Sequence, residues 1–314
     1  MKWFGGLSAL ALTVLACSSA ASGAELYAAS FHESYGDVQS LTIHGRLLLS
    51  RPQQTYATDD GKLHNLKRSA KTLRNPAAED YSTNIVLGAF NWPIKTDGEG
   101  YFSCSRSTPP SLKPGWHPLS VTGAGAGEHA RLLIVPTENT LGIISDIDDT
   151  VVESEVLDKT KLLKNTYLKN PAQRKAVPGV AAFYKTLAQR NPQPDLAPIF
   201  YLSASPSQLK ERIRAFLDLN HFPDGVLVTK KLNRDKSADP WLDQVRYKTV
   251  QIENILLRLP HVRFVLVGDD GEKDPEIYND IATRFPNRVD SVYIRKVNPD
   301  PARPSYPEQR ALAH

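Results

Sequence analysis

The sequence predicts an α/β fold built on a parallel sheet, preceded by a small all-β sandwich. Short apolar runs, Leu141 to Ile144, Ile199 to Leu202 and Phe264 to Val267, each end in hydroxyls or carboxylates. Runs of that length, bounded by polar residues, read as strands buried on both faces, as in parallel sheets. Between them lies helical spacing, as in Lys248, Ile252, Ile255 and Leu259. Upstream of residue 140 the texture changes to strand-like runs separated by Gly- and Asp-rich turns.

The chain has 314 residues, 41% of them hydrophobic, which is ample for two domains. Its net charge of +4 is slight for this size and does not predict nucleic-acid binding. Lys2, the apolar segment Phe4 to Ala16 and the small residues that follow read as a secretory signal peptide over residues 1–24. The segment is too short for a transmembrane span, which needs ~20 apolar residues. Cleavage after Ala24 would release a soluble exported protein. Val14-Leu15-Ala16-Cys17 also resembles a lipobox with Cys17 as the lipidated residue, although Leu15 fits it poorly. Export, periplasmic or secreted, is the expected localisation. Only Cys104 would remain in a soluble mature chain, so no intramolecular disulfide is expected even in a disulfide-permissive compartment.

Residues 25–139 are expected to form the β-sandwich. Its strands are read at Leu41 to Leu49, Ser82 to Phe90, Tyr101 to Ser105, His117 to Thr122 and Ala130 to Val135. The scattered His44, His64, His117 and His129 suggest no metal site. One segment, GKLHNLKRSAKTLRN, places Leu63, Leu66, Ala70 and Leu73 at helical spacing, with Lys62, Lys67, Arg68, Lys71 and Arg74 around the turn. A basic amphipathic helix can lie on an anionic bilayer, so peripheral membrane contact is one reading. The other is a connecting helix that packs its leucines on the sandwich and leaves its charges in water, or simply a loop.

Residues 140–299 carry the chemistry. Leu141 to Ile144 leads into Asp146, Asp148, Asp149 and Thr150; Ile199 to Leu202 leads into Ser203 and Ser205; Phe264 to Val267 leads into Gly268, Asp269 and Asp270. In open α/β sheets the ligand sits outside the carboxyl ends of the strands, so parallel neighbours would gather these groups in one crevice. Acids so crowded repel unless a cation sits among them. Hard oxygen donors without His or Cys favour Mg²⁺. A lysine would complete the set, and Lys248, Lys230 and Lys231 are the candidates. Each acid alone could also be a solvated turn or a helix cap.

Asp146-x-Asp148-x-Thr150, Ser203, Lys248, and Gly268-Asp269 followed by Asp274 resemble the four ordered motifs of the haloacid dehalogenase-like phosphatases. The finer text, SDIDDTV, FYLSASPSQL and VGDDGEKDPEIY, is similar to the actin-patch-associated phosphatidate phosphatases. The resemblance implies a haloacid dehalogenase-like Rossmannoid sheet with a minimal cap. It implies a Mg²⁺-dependent phosphoric monoester hydrolase acting through an aspartyl-phosphate, with phosphatidate or a related lipid phosphomonoester as the expected substrate. Asp146 would be the nucleophile and Asp148 the general acid/base. Lys248 and Ser203 would hold the phosphoryl oxygens, and Thr150 would brace the loop. Asp146, the Asp148 backbone carbonyl and Asp269 would hold the metal, and Asp274 would orient Lys248 or bind the metal through water. Asp270 could bind the ion or raise its affinity; Asp149 has no derived role. The same chemistry on a soluble extracytoplasmic phosphate ester is a second reading, and a non-catalytic phosphate- or lipid-binding module a third.

Between the first two motifs, the basic stretch from Asp158 to Lys175 is expected as a flap too short for a full cap, leaving the site open to large or surface-bound substrates. Pro178 is expected at the first turn of a helix running toward Arg190. Ser205-Pro206-Ser207-Gln208 has capping-box spacing, which leaves Ser203 as the phosphate-binding hydroxyl. Asp274-Pro275 reads as N-cap plus first-turn proline of the helix from Glu276 to Arg284. Residues 300–314 are expected as a flexible tail.

Overall fold

The computed structural model describes residues 26–50, 56–73, 76–126, 130–153, 169–230, 244–298 and 300–312. The signal-like segment with Cys17, most of the flap (its residues 158–168) and Lys231 lie outside these residues. The molecule is α/β with two sheets, one mixed and one parallel.

The mixed sheet comprises β1 (Tyr27–Gly36), β2 (Ser40–Leu49), β3 (Ser82–Leu87), β4 (Phe90–Lys95), β5 (Tyr101–Ser107), β6 (Gly115–Pro118), β7 (Ser120–Val121), β8 (Ala124–Ala126) and β9 (Arg131–Ile134), with α1 (Lys62–Leu73) between β2 and β3. All nine strands are hydrogen-bonded into one sheet, and β1 is its branch point. The start of β1 pairs with β8 and its end with β9, on either side of an irregularity between His32 and Tyr35. Such a bend lets one strand serve two layers. Phe31, Ile43, Leu47, Ile85, Phe102 and Leu132 fill the core, which also buries Cys104.

The run Ser82 to Phe90, expected as one strand, is a hairpin turning at Gly88, whose φ of 56° suits a two-residue connection. His117 to Thr122 likewise divides between β6 and β7. Leu63 and Leu66 of α1 are not buried on the sheet: they are 65% and 44% exposed. The helix is anchored instead through buried Asn65, whose Nδ2 donates to Gln173 Oε1 at 2.9 Å.

The parallel sheet comprises β10 (Leu141–Asp146), β11 (Ile199–Pro206), β12 (Val226–Lys230), β13 (Arg263–Asp269), β14 (Val289–Arg295) and β15 (Gln309–Ala311), in the order β12-β11-β10-β13-β14-β15. Its helices are α2 (Val180–Ala188), α3 (Lys210–Leu219), α4 (Gln244–Arg258) and α5 (Asp274–Arg284). Every residue of β10 is buried, because helices cover both faces. Ile144, Phe200, Leu202, Phe264 and Leu266 face α4 and α5; Ile143, Ile199, Tyr201, Val265 and Val267 face α2 and α3. This is the strand period of two read out in three dimensions. The two sheets also share a core, since Tyr35, Leu133 and Val135 join the α4/α5 side, with the Tyr35 ring 4.8 Å from Phe200.

Three local expectations are corrected. The helix after Pro178 begins at Val180, because Gly179 takes a left-handed φ of 78° and serves as N-cap. Ser205 is not a capping-box residue: β11 continues through Pro206, and a 3₁₀ turn, Ser207–Leu209, leads into α3. The tail is held, since β15 extends the sheet beside β14 and Arg303 pairs with both carboxylate oxygens of Glu276 at 3.0 and 3.2 Å.

Candidate active site

β10 is central, with β11 on one side and β13 on the other, so the chain crosses over in opposite senses from its two edges. That is the position where a crevice opens at the carboxyl ends of the strands. Asp146 ends β10 and Asp269 ends β13. The register sets Asp146 against Leu202, which puts Ser203 one position beyond it on the adjacent strand. Ser203 is buried, and its Oγ accepts from the Ser205 amide at 3.0 Å.

Lys248 arrives from α4. Its neighbours Ile252 and Ile255 are buried beneath the sheet, which fixes the helix and aims the ammonium at the rim. Lys248 Nζ lies 2.7 Å from Asp146 Oδ1, 2.6 Å from Asp274 Oδ1 and 3.5 Å from Glu272 Oε2. Asp274 is not an N-cap. Lys273 holds that position without a side-chain cap, and Asp274 sits in the first turn of α5 with its carboxylate on Lys248. Lys230, its sequence rival, instead lies over the Tyr247 ring at 5.4 Å.

Asp146, Asp269 and Asp274 are all buried, and each offers an oxygen within 4.8 Å of the others. Burial, together with Asp274 and Asp269 nearby, pushes the Asp146 carboxyl well above the usual carboxylate range, against the pull of Lys248. Burial and Asp274 do the same to Asp269. Burial works against the Lys248 charge, but Asp146, Asp274 and Glu272 more than reverse it and hold the ammonium well above lysine's ordinary pKa. One lysine among these acids leaves surplus negative charge in a low-dielectric setting, and the donors are all hard oxygens. That set fits a cation such as Mg²⁺ better than a softer metal.

The remaining predicted residues sit around this cluster in different ways. Asp148 is less buried, and its Oδ1 meets Arg174 Nη2 at 3.3 Å. Thr150 is fully buried with its Oγ1 3.4 Å from Asp269 Oδ2. Asp149 adopts a left-handed φ of 59°, which aspartate tolerates better than most residues, and its carbonyl accepts from Arg295 Nη1 at 2.7 Å. Asp270 does not join the cluster. Its Oδ1 accepts from the Val297 and Asn298 amides at 2.6 and 2.8 Å, so it clamps the loop after β14. Alternation along the chain turns it away from Asp269.

Sequence reasoning missed Glu272 and the particular use of Arg174. Glu272 stood inside the VGDDGEKDPEIY text, but only the fold brings it to Lys248. Arg174 lies just after a 3₁₀ turn, Pro171–Gln173, whose Gln173 Nε2 donates to the Thr58 and Asp60 carbonyls at 2.9 and 2.8 Å. A groove of about 370 Å³ opens beside Asp148, lined by Ile147, Pro171, Arg174, Leu209 and Ile213.

Residues 141–296 match the family model "Phosphatidate phosphatase APP1, catalytic domain". This segment belongs to that family. The chain is 34% identical over 158 residues to Phosphatidate phosphatase APP1 of Saccharomyces cerevisiae, covering 49% of this chain and 26% of that protein. It is 27% identical over 162 residues to an uncharacterized protein of Schizosaccharomyces pombe, covering 52% of this chain and 26% of that protein. The chain thus spans about a quarter of the length of the curated relatives it matches. A solved structure, ferredoxin-NADP+ reductase from Plasmodium falciparum, aligns over 87% of this chain and 96% of that chain at 12% identity, with a TM-score of 0.22. The family segment contains Asp146, Asp148, Thr150, Ser203, Lys248, Asp269 and Asp274.

Proposed function

We propose that this chain is a Mg²⁺-dependent phosphoric monoester hydrolase that works through an aspartyl-phosphate, with phosphatidate or a related lipid phosphomonoester as substrate. The observation that carries this reading is the Lys248 ammonium seated between Asp146 and Asp274 at 2.7 and 2.6 Å, with Asp269 in the same buried cluster. Membership of the segment in the APP1 catalytic-domain family supports it. In this reading residues 140–299 form a haloacid dehalogenase-like domain with a minimal cap, residues 25–139 form an all-β domain before it, and residues 1–24 direct export.

Asp146 attacks phosphorus in line, forming one P–O bond as the ester P–O bond breaks. Asp148, the more open of the two acids, gives a proton to the departing alkoxide and then takes one from the water that cleaves the acyl phosphate. Lys248 and the Ser203 hydroxyl hold phosphoryl oxygens, while Asp274 keeps the lysine aimed. Asp146, Asp269 and the Asp148 backbone carbonyl would hold Mg²⁺, which when bound offsets negative charge on the phosphoryl group. Thr150 steadies Asp269 from the loop after β10.

Exposed Leu63 and Leu66 beside exposed Lys62 and Lys67 on α1 support contact with an anionic bilayer, the surface on which a lipid substrate resides. Phosphate release from p-nitrophenyl phosphate with Mg²⁺ tests the chemistry. Asp146→Asn should abolish it while leaving the thermal transition in place, and excess chelator should do the same. Activity surviving in either case would exclude the mechanism. A screen of short-chain phosphatidate against soluble phosphomonoesters then decides the substrate class.

A further inference from the structure

α3 and the turn before it stand between two pockets. Leu209 and Ile213 face the groove beside Asp148, whereas Lys210 and Arg214 face a second pocket, about 290 Å³ counting the space open to solvent. That pocket is also lined by Trp116 and Arg131 from the mixed sheet, by Glu33 at the irregular part of β1, and by Gly225 before β12. None of these residues belongs to the acid cluster at the rim of β10.

Three cations line the pocket, with Glu33 the carboxylate among the described lining residues and Asp224, Glu211 and Asp218 acting on them from outside it. Arg131 is held by Asp224 at 2.5 Å and lies 4.4 Å from the Trp116 ring centre. The other two cations are less well matched. Lys210 and Arg214 are only 4% and 5% exposed. Among the described residues Lys210 pairs with Glu211 at 3.5 Å, whose side chain is 60% exposed. Arg214 donates from Nη2 to the Gly225 carbonyl at 2.8 Å, but its buried Nε has no hydrogen-bond partner among the described residues. Burial pushes the pKa of both groups down, against weaker help from acids nearby.

Buried cations are costly unless an opposite charge and hydrogen bonds compensate them. Ammonium and guanidinium are donors only, so what completes them must be an acceptor, and a charged one gains most. The guanidinium fork suits an oxyanion with several acceptor oxygens. We propose that this pocket binds a phosphate-type oxyanion, with Arg214 Nε and the Lys210 ammonium as its principal donors and Arg131 at its mouth. The same chemistry is offered by free phosphate and by the headgroup of an anionic lipid.

The test is calorimetric titration of the whole protein in chelator, so that no turnover contributes, at matched ionic strength. One arm uses inorganic phosphate. The other uses vesicles of phosphatidylcholine with and without phosphatidic acid. The expected result is saturable binding in at least one arm, weakened at least about tenfold by Lys210→Met and by Arg214→Met, and unchanged by Ser205→Ala at the groove beside Asp148. Binding of free phosphate identifies a soluble anion site; binding of phosphatidic acid vesicles alone identifies a headgroup site. Lys210→Met keeps the side-chain volume while removing a buried charge, so it serves if the arginine variant does not fold. Equal binding by wild type and Lys210→Met, or no binding by wild type in either arm, overturns the proposal. Neither result depends on phosphatase activity.

Discussion

A methyl group added at Gly268 would lie 2.5 Å from Asp274 Oδ2 and 2.7 Å from the Tyr278 ring. Both neighbours are fully buried, so they have no room to retreat. Gly268→Ala should therefore push Asp274 off Lys248 and lower kcat/KM about 100-fold, the scale of a small misplacement at a reacting centre. Steady-state phosphate release checks this, with circular dichroism to verify the fold. Asp148 gives a sharper test of its proposed role. Asp148→Asn should slow an alkyl phosphate by roughly 10²- to 10⁴-fold, but an aryl phosphate much less, because a phenolate leaves without a proton. Equal losses on the two substrates would remove Asp148 from that role.

β15 is the element whose contribution reaches furthest from its own position. Arg303 joins the end of the chain to Glu276 in the first turn of α5 and to the Asp270 carbonyl at 2.9 Å, while Gln309 Nε2 donates to the Pro275 carbonyl at 2.7 Å. Those contacts flank Asp274. Arg303→Ala should cost about 2 kcal/mol, measured by urea unfolding near neutral pH. Burial raises the pKa of Glu276, but the Lys273 hydrogen bond, its own backbone amide and the Arg303 charge outweigh this and hold it below glutamate's usual value. Its contribution is thus present above the unfolded-state pKa and lost as pH falls through the lowered folded-state value. The difference between wild type and Arg303→Ala should shrink in acid. A constant difference would place the stabilisation elsewhere.

At the scale of the whole molecule, the two sheets are not independent. Tyr35 of β1 packs edge-on against Phe200 of β11, and Arg258 of α4 lies 5.4 Å from the same Tyr35 ring. Arg131–Asp224 and the Tyr101 hydroxyl, 2.8 Å from Ser207 Oγ, span the same boundary. Tyr35→Ala should cost about 3–5 kcal/mol, as large-to-small changes of buried aromatic residues do. Wild type should unfold in one transition by fluorescence and by circular dichroism. Two resolved transitions in wild type would show that the shared core does not couple the halves.

The apolar runs before Asp146, Ser203 and Asp269 were sufficient to read a parallel sheet and its rim, because strand burial on both faces is written locally in composition. The basic helix α1 and the lysine-bearing α4 were legible for the same reason, through their spacing. Tertiary structure decided the rest. Asp274 and Ser205 both had the local pattern of helix caps, yet Asp274 was claimed by Lys248 and Ser205 stayed in an extending strand. Asp270 was left open as a ligand beside Asp269, and in the structure its carboxylate goes to the amides of the loop after β14. β1 carried no clear alternation because it serves two partners across a bend. Local pattern fixes which residues are buried and which are polar at a strand end; which buried charge meets which is set by partners far along the chain, and no short stretch of sequence contains that information.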